Sequence, residues 1–331
     1  MENKPTICNR LVNFVSAVPL GGFYSFLGSG LLKNKVTVFT YHDVSNDPGE
    51  FSRAFDLNTC PDVFDYQIKL ISGEFNMISP YDLLNNNLPH KAALITFDDG
   101  FQSYFKNAIP ILKKYKIPSV IFLNMAPIEG AMFWPGLMYY LWNKDGNFKK
   151  FAASRSQKKI EDGISFSNYD KGMVAEYLNT IDKNVSDKVS GCVGRFVTKD
   201  ELAEASTNPL VYYGNHLLDH DFPLSLTADE LISSYVQNRE KMKGYANYVD
   251  MFSFPFGQPG TCFLRNQIEV LTKIGVKRVF SSSGKMNKDA GSVYLDRLSL
   301  STADDTRTKI WLKMFYQMIR GQIIHKSRRY E

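Results

Sequence analysis

Cysteine is scarce in this chain of 331 residues: Cys8, Cys60, Cys192 and Cys262 stand far apart, with no C-x-x-C pair. That spacing argues against a zinc knuckle and against a disulfide framework, and reduced thiols suit a cytoplasmic address. Neither sign of charge is in excess. The 39 Lys and Arg against 34 Asp and Glu leave a formal net charge of +5, too mild to indicate a nucleic-acid partner. No internal repeat, low-complexity run or linker-like stretch divides the sequence. What remains is an ordinary globular composition, 44% hydrophobic and 22% charged, long enough for one barrel-sized domain or two smaller ones.

Charge is also missing locally. Residues 11–32 carry none and follow Lys4 and Arg10. The length would span a membrane, but Asn13, Pro19, Gly21, Gly22, Gly28 and Gly30 make a poor spanning helix. A signal peptide would have the right flank without a convincing small-residue cleavage site. The reading preferred is a short helix with Leu11, Phe14, Val15 and Val18 on one face, docked on the core or lying at a membrane surface.

From residue 36 the pattern becomes rhythmic. Val-Thr-Val-Phe-Thr-Tyr over 36–41 reads as a strand delivering His42 and Asp43. Residues 62–72 have helical spacing after Pro61, 76–78 a short strand, and 80–85 a small helix. The stretch 92–100, Ala-Ala-Leu-Ile-Thr-Phe-Asp-Asp-Gly, is a buried strand ending in two adjacent acids. A helix over 101–115 and a strand over 119–124 follow. Alternating strands and helices predict parallel pairing. Residues 125–209 interrupt the alternation with Trp134, Trp142 and a lysine-rich middle, and read as a helical insertion. Beyond it come strands at 210–213, 251–254, 279–281 and 294–300. Helices open at the capping boxes Thr198-x-x-Glu201 and Thr227-x-x-Glu230, and 264–274 is helical.

Polar residues collect where strands end: His42, Asp98-Asp99, His216 and Pro255-Phe256-Gly257. In a parallel β/α barrel that end assembles the site. Adjacent carboxylates repel and lose hydration on burial, so a cation is the expected compensation; a solvated Asp-Asp-Gly turn is the simpler alternative. Only five histidines exist, and His216 and His220 lie four apart. That spacing puts both rings on one face of a helical turn, from which two imidazoles can grip a metal.

Thr96-Phe97-Asp98-Asp99-Gly100, His216-Leu-Leu-Asp-His220 and Phe254-Pro255-Phe256-Gly257, in this order, resemble the motifs of the NodB-homology polysaccharide deacetylases, carbohydrate esterase family four. The similarity spans about residues 36–300. Tyr41-His42-Asp43 further resembles a branch whose catalytic histidine is supplied from the N-terminal side. The resemblance implies a distorted parallel β/α barrel, TIM-like and NodB-type, with a helical insertion. It implies Asp99, His216 and His220 as ligands of Zn2+ or another divalent transition metal, Asp98 as general base, and His42 as general acid. The backbone N–H of Phe256 would help hold the oxyanion.

Two positions depart from the family. Leu217 stands where a Ser or Thr usually follows the first metal histidine, and no arginine precedes the Phe-Pro motif. Arg297 is the substitute candidate for orienting the base; its alternative is a salt bridge with Asp296 or another nearby acid. His42 has the alternative of a core histidine bonded to backbone. Phe133, Trp134, Tyr139, Tyr140 and Trp142 of the insertion either stack on sugar rings or form the insertion's own core.

The expectation is therefore a metal-dependent carbohydrate de-N-acetylase acting on an N-acetylated glycan of a surface polysaccharide, or on its lipid- or nucleotide-linked precursor. It comprises an N-terminal apolar segment (1–35), a barrel (36–306) with its insertion at about 125–209, and a basic amphipathic C-terminal helix (307–331). That helix carries Arg307, Lys309, Lys313, Arg320, Lys326, Arg328 and Arg329 and no acid before Glu331. It either lies on an anionic membrane, giving peripheral contact together with the N-terminal segment, or packs on the barrel. The expected address is cytoplasmic or membrane-peripheral, with export as the alternative. An O-acetyl esterase on the same scaffold, a catalytically silent glycan-binding homologue and a non-haem iron oxygenase are the competing functions.

Overall fold

The computed structural model describes residues 35–155, 171–181, 185–287 and 289–323; the apolar N-terminal segment lies almost wholly outside the described residues. Apolar and β-branched runs form the strands β1 (Val36–Tyr41), β2 (Asn76–Met77), β3 (Ala92–Asp99), β4 (Ser119–Leu123), β5 (Val211–Asn215), β6 (Tyr248–Ser253), β7 (Arg278–Phe280), β8 (Tyr294–Leu295) and β9 (Arg297–Ser299). Their order is β8-β7-β6-β5-β4-β3-β1-β9, with β2 beside the start of β3. Every pairing is parallel. Parallel neighbours need long crossovers, and helices such as Pro61–Glu74, Ala228–Met242 and Arg265–Lys273 supply them.

The single last strand expected over 294–300 is in fact two, broken at Asp296. β8 pairs with β7, and β9 pairs with β1. One extended segment thus joins the two ends of the strand order and nearly closes a TIM-like barrel, which removes the exposed edges an open sheet would carry.

Alternation along the strands separates two cores. Val36, Val38, Ala92, Leu94, Val120, Phe122, Met251 and Phe280 fill one cluster. Phe39, Tyr41, Ala93, Ile95, Phe97, Ile121 and Leu123 turn the other way, into a cluster shared with Phe64 and Ile68 of the helix Pro61–Glu74. Both faces are dry, which is why these strands read as near-continuous apolar runs. At about 25 cal/mol per Å2, each large side chain buried this way stabilises the fold by about 1.5–3 kcal/mol. The same alternation puts Thr96 and Asp98 on the face of Ala92 and Leu94.

Between β4 and β5 the helices Trp134–Lys144, Phe148–Arg155, Lys171–Leu178 and Val185–Val193 bury a core of their own around Leu137, Leu141, Phe148 and Val189, while the helix Lys199–Ala205 buries Leu202 in the barrel's cluster. Both capping boxes form, with Thr198 accepting from the Glu201 N–H and Thr227 from that of Glu230. The C-terminal helix Arg307–Ile323 buries Ile310, Trp311 and Met314 against the barrel. Its Arg307, Lys309 and Lys313 pair with Glu74, Asp305 and Asp304. Among the described residues no helix is long and apolar enough to cross a membrane.

Candidate active site

Asp98 and Asp99 end β3 fully enclosed, 2% and 3% exposed, which excludes the solvated turn. Successive strand residues point to opposite faces, so two neighbouring carboxylates can serve one site only if the backbone turns between them. Asp99 has a left-handed φ of 74°, a conformation uncommon outside glycine. Gly100 follows at φ 100°, where a side chain would be strained. Such strain gathers at functional sites. Here it also occupies Leu217 (φ 63°), His220 (φ 49°) and Phe256 (φ 61°).

Arg297 reaches Asp98, not its neighbour Asp296. Nη1 and Nη2 donate to the two Asp98 oxygens at 2.7 and 2.6 Å. Nε donates to the Ser281 carbonyl at 3.0 Å, and Nη2 also to Ser282 Oγ at 3.0 Å. Asp296 is instead satisfied by the hydroxyls of Ser281, Ser283 and Tyr294. Burial pushes the Asp98 carboxyl up, but Arg297, His216 and His42 outweigh it and hold it below the usual carboxylate range.

Asp99, His216 and His220 each aim one ligand atom at a common point, all within 4.8 Å of one another. Asp99 Oδ1 lies 3.5 Å from His216 Nε2 and 3.2 Å from His220 Nε2. Among the described residues it is buried without a hydrogen bond, a costly state that a cation would relieve. One carboxylate and two imidazoles form a donor set for a divalent transition metal with open coordination positions, so the residues fit such an ion. His216 Nδ1 is 2.7 Å from the Ser253 carbonyl, an arrangement that leaves Nε2 as the free ligand atom. Burial pushes Asp99 up, yet the adjacent His216 and His220 rings hold it well below the usual range.

The helical turn expected for the two histidines is absent: His216 to His220 follow β5 as a loop. The left-handed residues Leu217 and His220 fold it back so that the rings sit edge to face, 5.0 Å apart. Asn124 donates to the carbonyls of His216 and Leu217. Asn215 Oδ1 accepts from the Leu217 N–H at 3.0 Å and from Asn238 Nδ2 at 2.9 Å. Leu217 itself is buried with Leu231, Phe252 and Phe254, so this position packs where a hydroxyl would hydrogen-bond. Sequence reasoning passed over Asn124, Asn238 and Ser282. The available signal was polar residues on otherwise apolar elements.

His42 continues β1, 17% exposed at the side chain, with Nε2 3.8 Å from Asp98 Oδ2. It is at the rim rather than in the core. Burial lowers its pKa, against the pull of Asp99 and Asp98. Phe256 packs edge to face on His220 at 4.7 Å. Gly257 (φ 66°) follows, where a Cβ would come 2.5 Å from Ser282 Oγ. Of the insertion aromatics, Phe133, Trp134 and Trp142 are buried core, 3%, 6% and 4% exposed, and not open to stack on sugars; Tyr139 and Tyr140 pack half-buried against the same core. Phe133 still borders the site, 5.2 Å from the His220 ring.

Fold and site together define a β/α-barrel hydrolase. The model of the polysaccharide deacetylase family matches residues 85–279, more than half of the chain, and the protein belongs to that family. The fold is similar to that of IcaB from Ammonifex degensii, at 18% identity and TM-score 0.52, covering 85% of this chain and 97% of that one. It is similar to the Streptococcus pyogenes deacetylase PplD in complex with acetate, at 15% identity and TM-score 0.56, covering 85% and 99%. A de-N-acetylase from Aggregatibacter actinomycetemcomitans shares 17% identity with TM-score 0.54, covering 81% and 95%. Among curated proteins no significant match is found.

Proposed function

We propose that this polysaccharide deacetylase is a metal-dependent hydrolase that removes N-acetyl groups from amino sugars of a surface polysaccharide or of its lipid- or nucleotide-linked precursor. The observation that carries this reading is the unequal treatment of two adjacent carboxylates. Asp98 is clamped by Arg297, while Asp99 faces two imidazole nitrogens with a buried oxygen that lacks a hydrogen bond.

Asp99, His216 and His220 would hold the ion; a divalent metal such as zinc supplies a water of lowered pKa and polarises the acetyl carbonyl. Asp98, kept ionised by Arg297, accepts the proton of the attacking water. The Phe256 N–H would help hold the developing oxyanion. His42 returns a proton to the departing amine, which is a poor leaving group until protonated. Burial makes the His42 imidazolium a stronger acid than a solvated one. The working address in this reading is the cytoplasm or the membrane surface, where lipid- or nucleotide-linked precursors are met.

The test is metal analysis of the purified protein together with acetate release from N-acetylglucosamine oligomers and from O-acetylated glycans. Zinc with acetate from the N-acetylated substrate supports the proposal. Acetate from the O-acetylated glycans alone makes the protein an esterase, glycan binding without turnover makes it a silent homologue, and iron with oxygen uptake makes it an oxygenase.

A further inference from the structure

His220 is held less directly than His216. The Nδ1 of His216 is fixed by the Ser253 carbonyl, whereas the buried Nδ1 of His220 has no hydrogen-bond partner among the described residues. Its ring is oriented by the rings of Phe133, Phe256 and His216, by Asp99 at Nε2, and by a backbone that takes a left-handed φ of 49°. A non-glycine residue stays in that region only when its surroundings over-determine it. The position of this ligand therefore depends on how firmly the loop is tied down.

From the barrel side the loop is tied by Asn124 and by Ser234, whose Oγ accepts the Leu218 N–H at 3.1 Å and donates to Asp221 Oδ2 at 3.1 Å. The residues on either side of His220 turn outward. Asp219 and Asp221 both ion-pair with one ammonium, Lys171 Nζ, which comes from the helical insertion. Without that cation two carboxylates two residues apart would repel each other and push the loop open.

We propose that Lys171 is a positioning residue of the metal centre, locking the His220 loop from outside the barrel and so making the insertion part of the site. This rests on the reading of His220 as a metal ligand. It predicts a sign that simple electrostatics does not. Removing a cation near a metal site should by charge alone tighten metal binding, whereas releasing a loop that carries a ligand weakens it.

The experiment measures zinc affinity by competition with a chromophoric chelator, for the full chain and its variants. Lys171→Met is expected to weaken zinc binding about tenfold, the lower range for losing a group that orients a metal ligand. Lys171→Arg should restore it to within about threefold, since a guanidinium can also bridge two carboxylates. In an Asp219→Asn, Asp221→Asn background, adding Lys171→Met should change little. In the metal-free protein, amide exchange over residues 217–221 should quicken in Lys171→Met. Unchanged or tighter zinc binding in Lys171→Met overturns the inference, as does failure of the arginine to rescue. If the parent protein binds zinc and Lys171→Met binds it equally, only this inference falls. If the parent binds no divalent metal at all, the metal-dependent reading falls with it.

Discussion

Arg297 and Asp98 form a two-pronged ion pair, with guanidinium nitrogens 2.7 and 2.6 Å from the two carboxylate oxygens and both side chains buried. A planar fork gives each oxygen its own aligned N–H and fixes the carboxylate's orientation; an ammonium is a point charge without that fork. Arg297→Lys is therefore expected to keep the fold and lower kcat about 10- to 100-fold through misplacement of the base. Arg297→Ala leaves a buried carboxylate unpaired and should cost about 3–5 kcal/mol of stability. Acetate-release kinetics and thermal unfolding check the two effects, and a wild-type rate in Arg297→Lys would rule out the orienting role.

The adjacent acids should separate in mutagenesis. Asp98→Asn is expected to abolish turnover while retaining metal, and Asp99→Asn to lose the metal, as read by metal analysis of each purified variant. An active Asp98→Asn protein would refute its assignment as base.

His42 stands 3.8 Å from Asp98 and outside the cluster of Asp99, His216 and His220. His42→Ala should slow turnover by about 10²–10⁴, the usual weight of a general acid, with metal content unchanged. Loss of metal in that variant would make His42 a ligand instead.

Gly257 links the Phe256 turn to the base. Its carbonyl accepts the Ser282 N–H at 2.7 Å, and Ser282 Oγ accepts from Arg297. A Cβ there meets Ser282 at a left-handed φ, so Gly257→Ala should destabilise by about 1–3 kcal/mol and reduce kcat more than it raises KM. Unaltered kinetics would show the turn to be independent of the site.

Glu129 joins the insertion to the barrel by pairing with Lys199 and Lys241, and these lysines hold its carboxyl below the usual range. A depressed carboxyl stabilises the fold above its unfolded pKa of about 4.3, and that contribution is lost as pH falls through the folded value. Glu129→Gln should thus lower Tm slightly at pH 7, on the order of 1–2 °C, with a smaller difference at about pH 3. Calorimetry at the two pH values decides it, and an equal deficit at both would remove the charge argument.

Much of the barrel was legible because its signals are local. Dry strands read as apolar runs, Thr198 and Thr227 announce their helices by capping boxes, and Asp98-Asp99-Gly100 marks a strand that ends in a turn. The His216–His220 spacing was legible as a pair but not as a loop. Four-residue spacing suits a helix, and nothing local reveals that Leu217 and His220 take left-handed backbone. The insertion aromatics were ambiguous for a related reason, since the same residues suit a sugar platform and a core, and only packing buries Phe133, Trp134 and Trp142.

By itself the sequence determined the family, the alternation of strand and helix, and which residue types stand at the strand ends, because each of these is written in neighbouring residues. Only the tertiary structure decided that Arg297 serves Asp98 across 199 positions, that Asp296 divides the segment closing the barrel, and that Lys171 of the insertion grips the loop of His220. Those contacts join side chains that are far apart in the chain. Backbone propensity and periodicity carry no record of them, and geometry alone chooses which buried charge meets which partner.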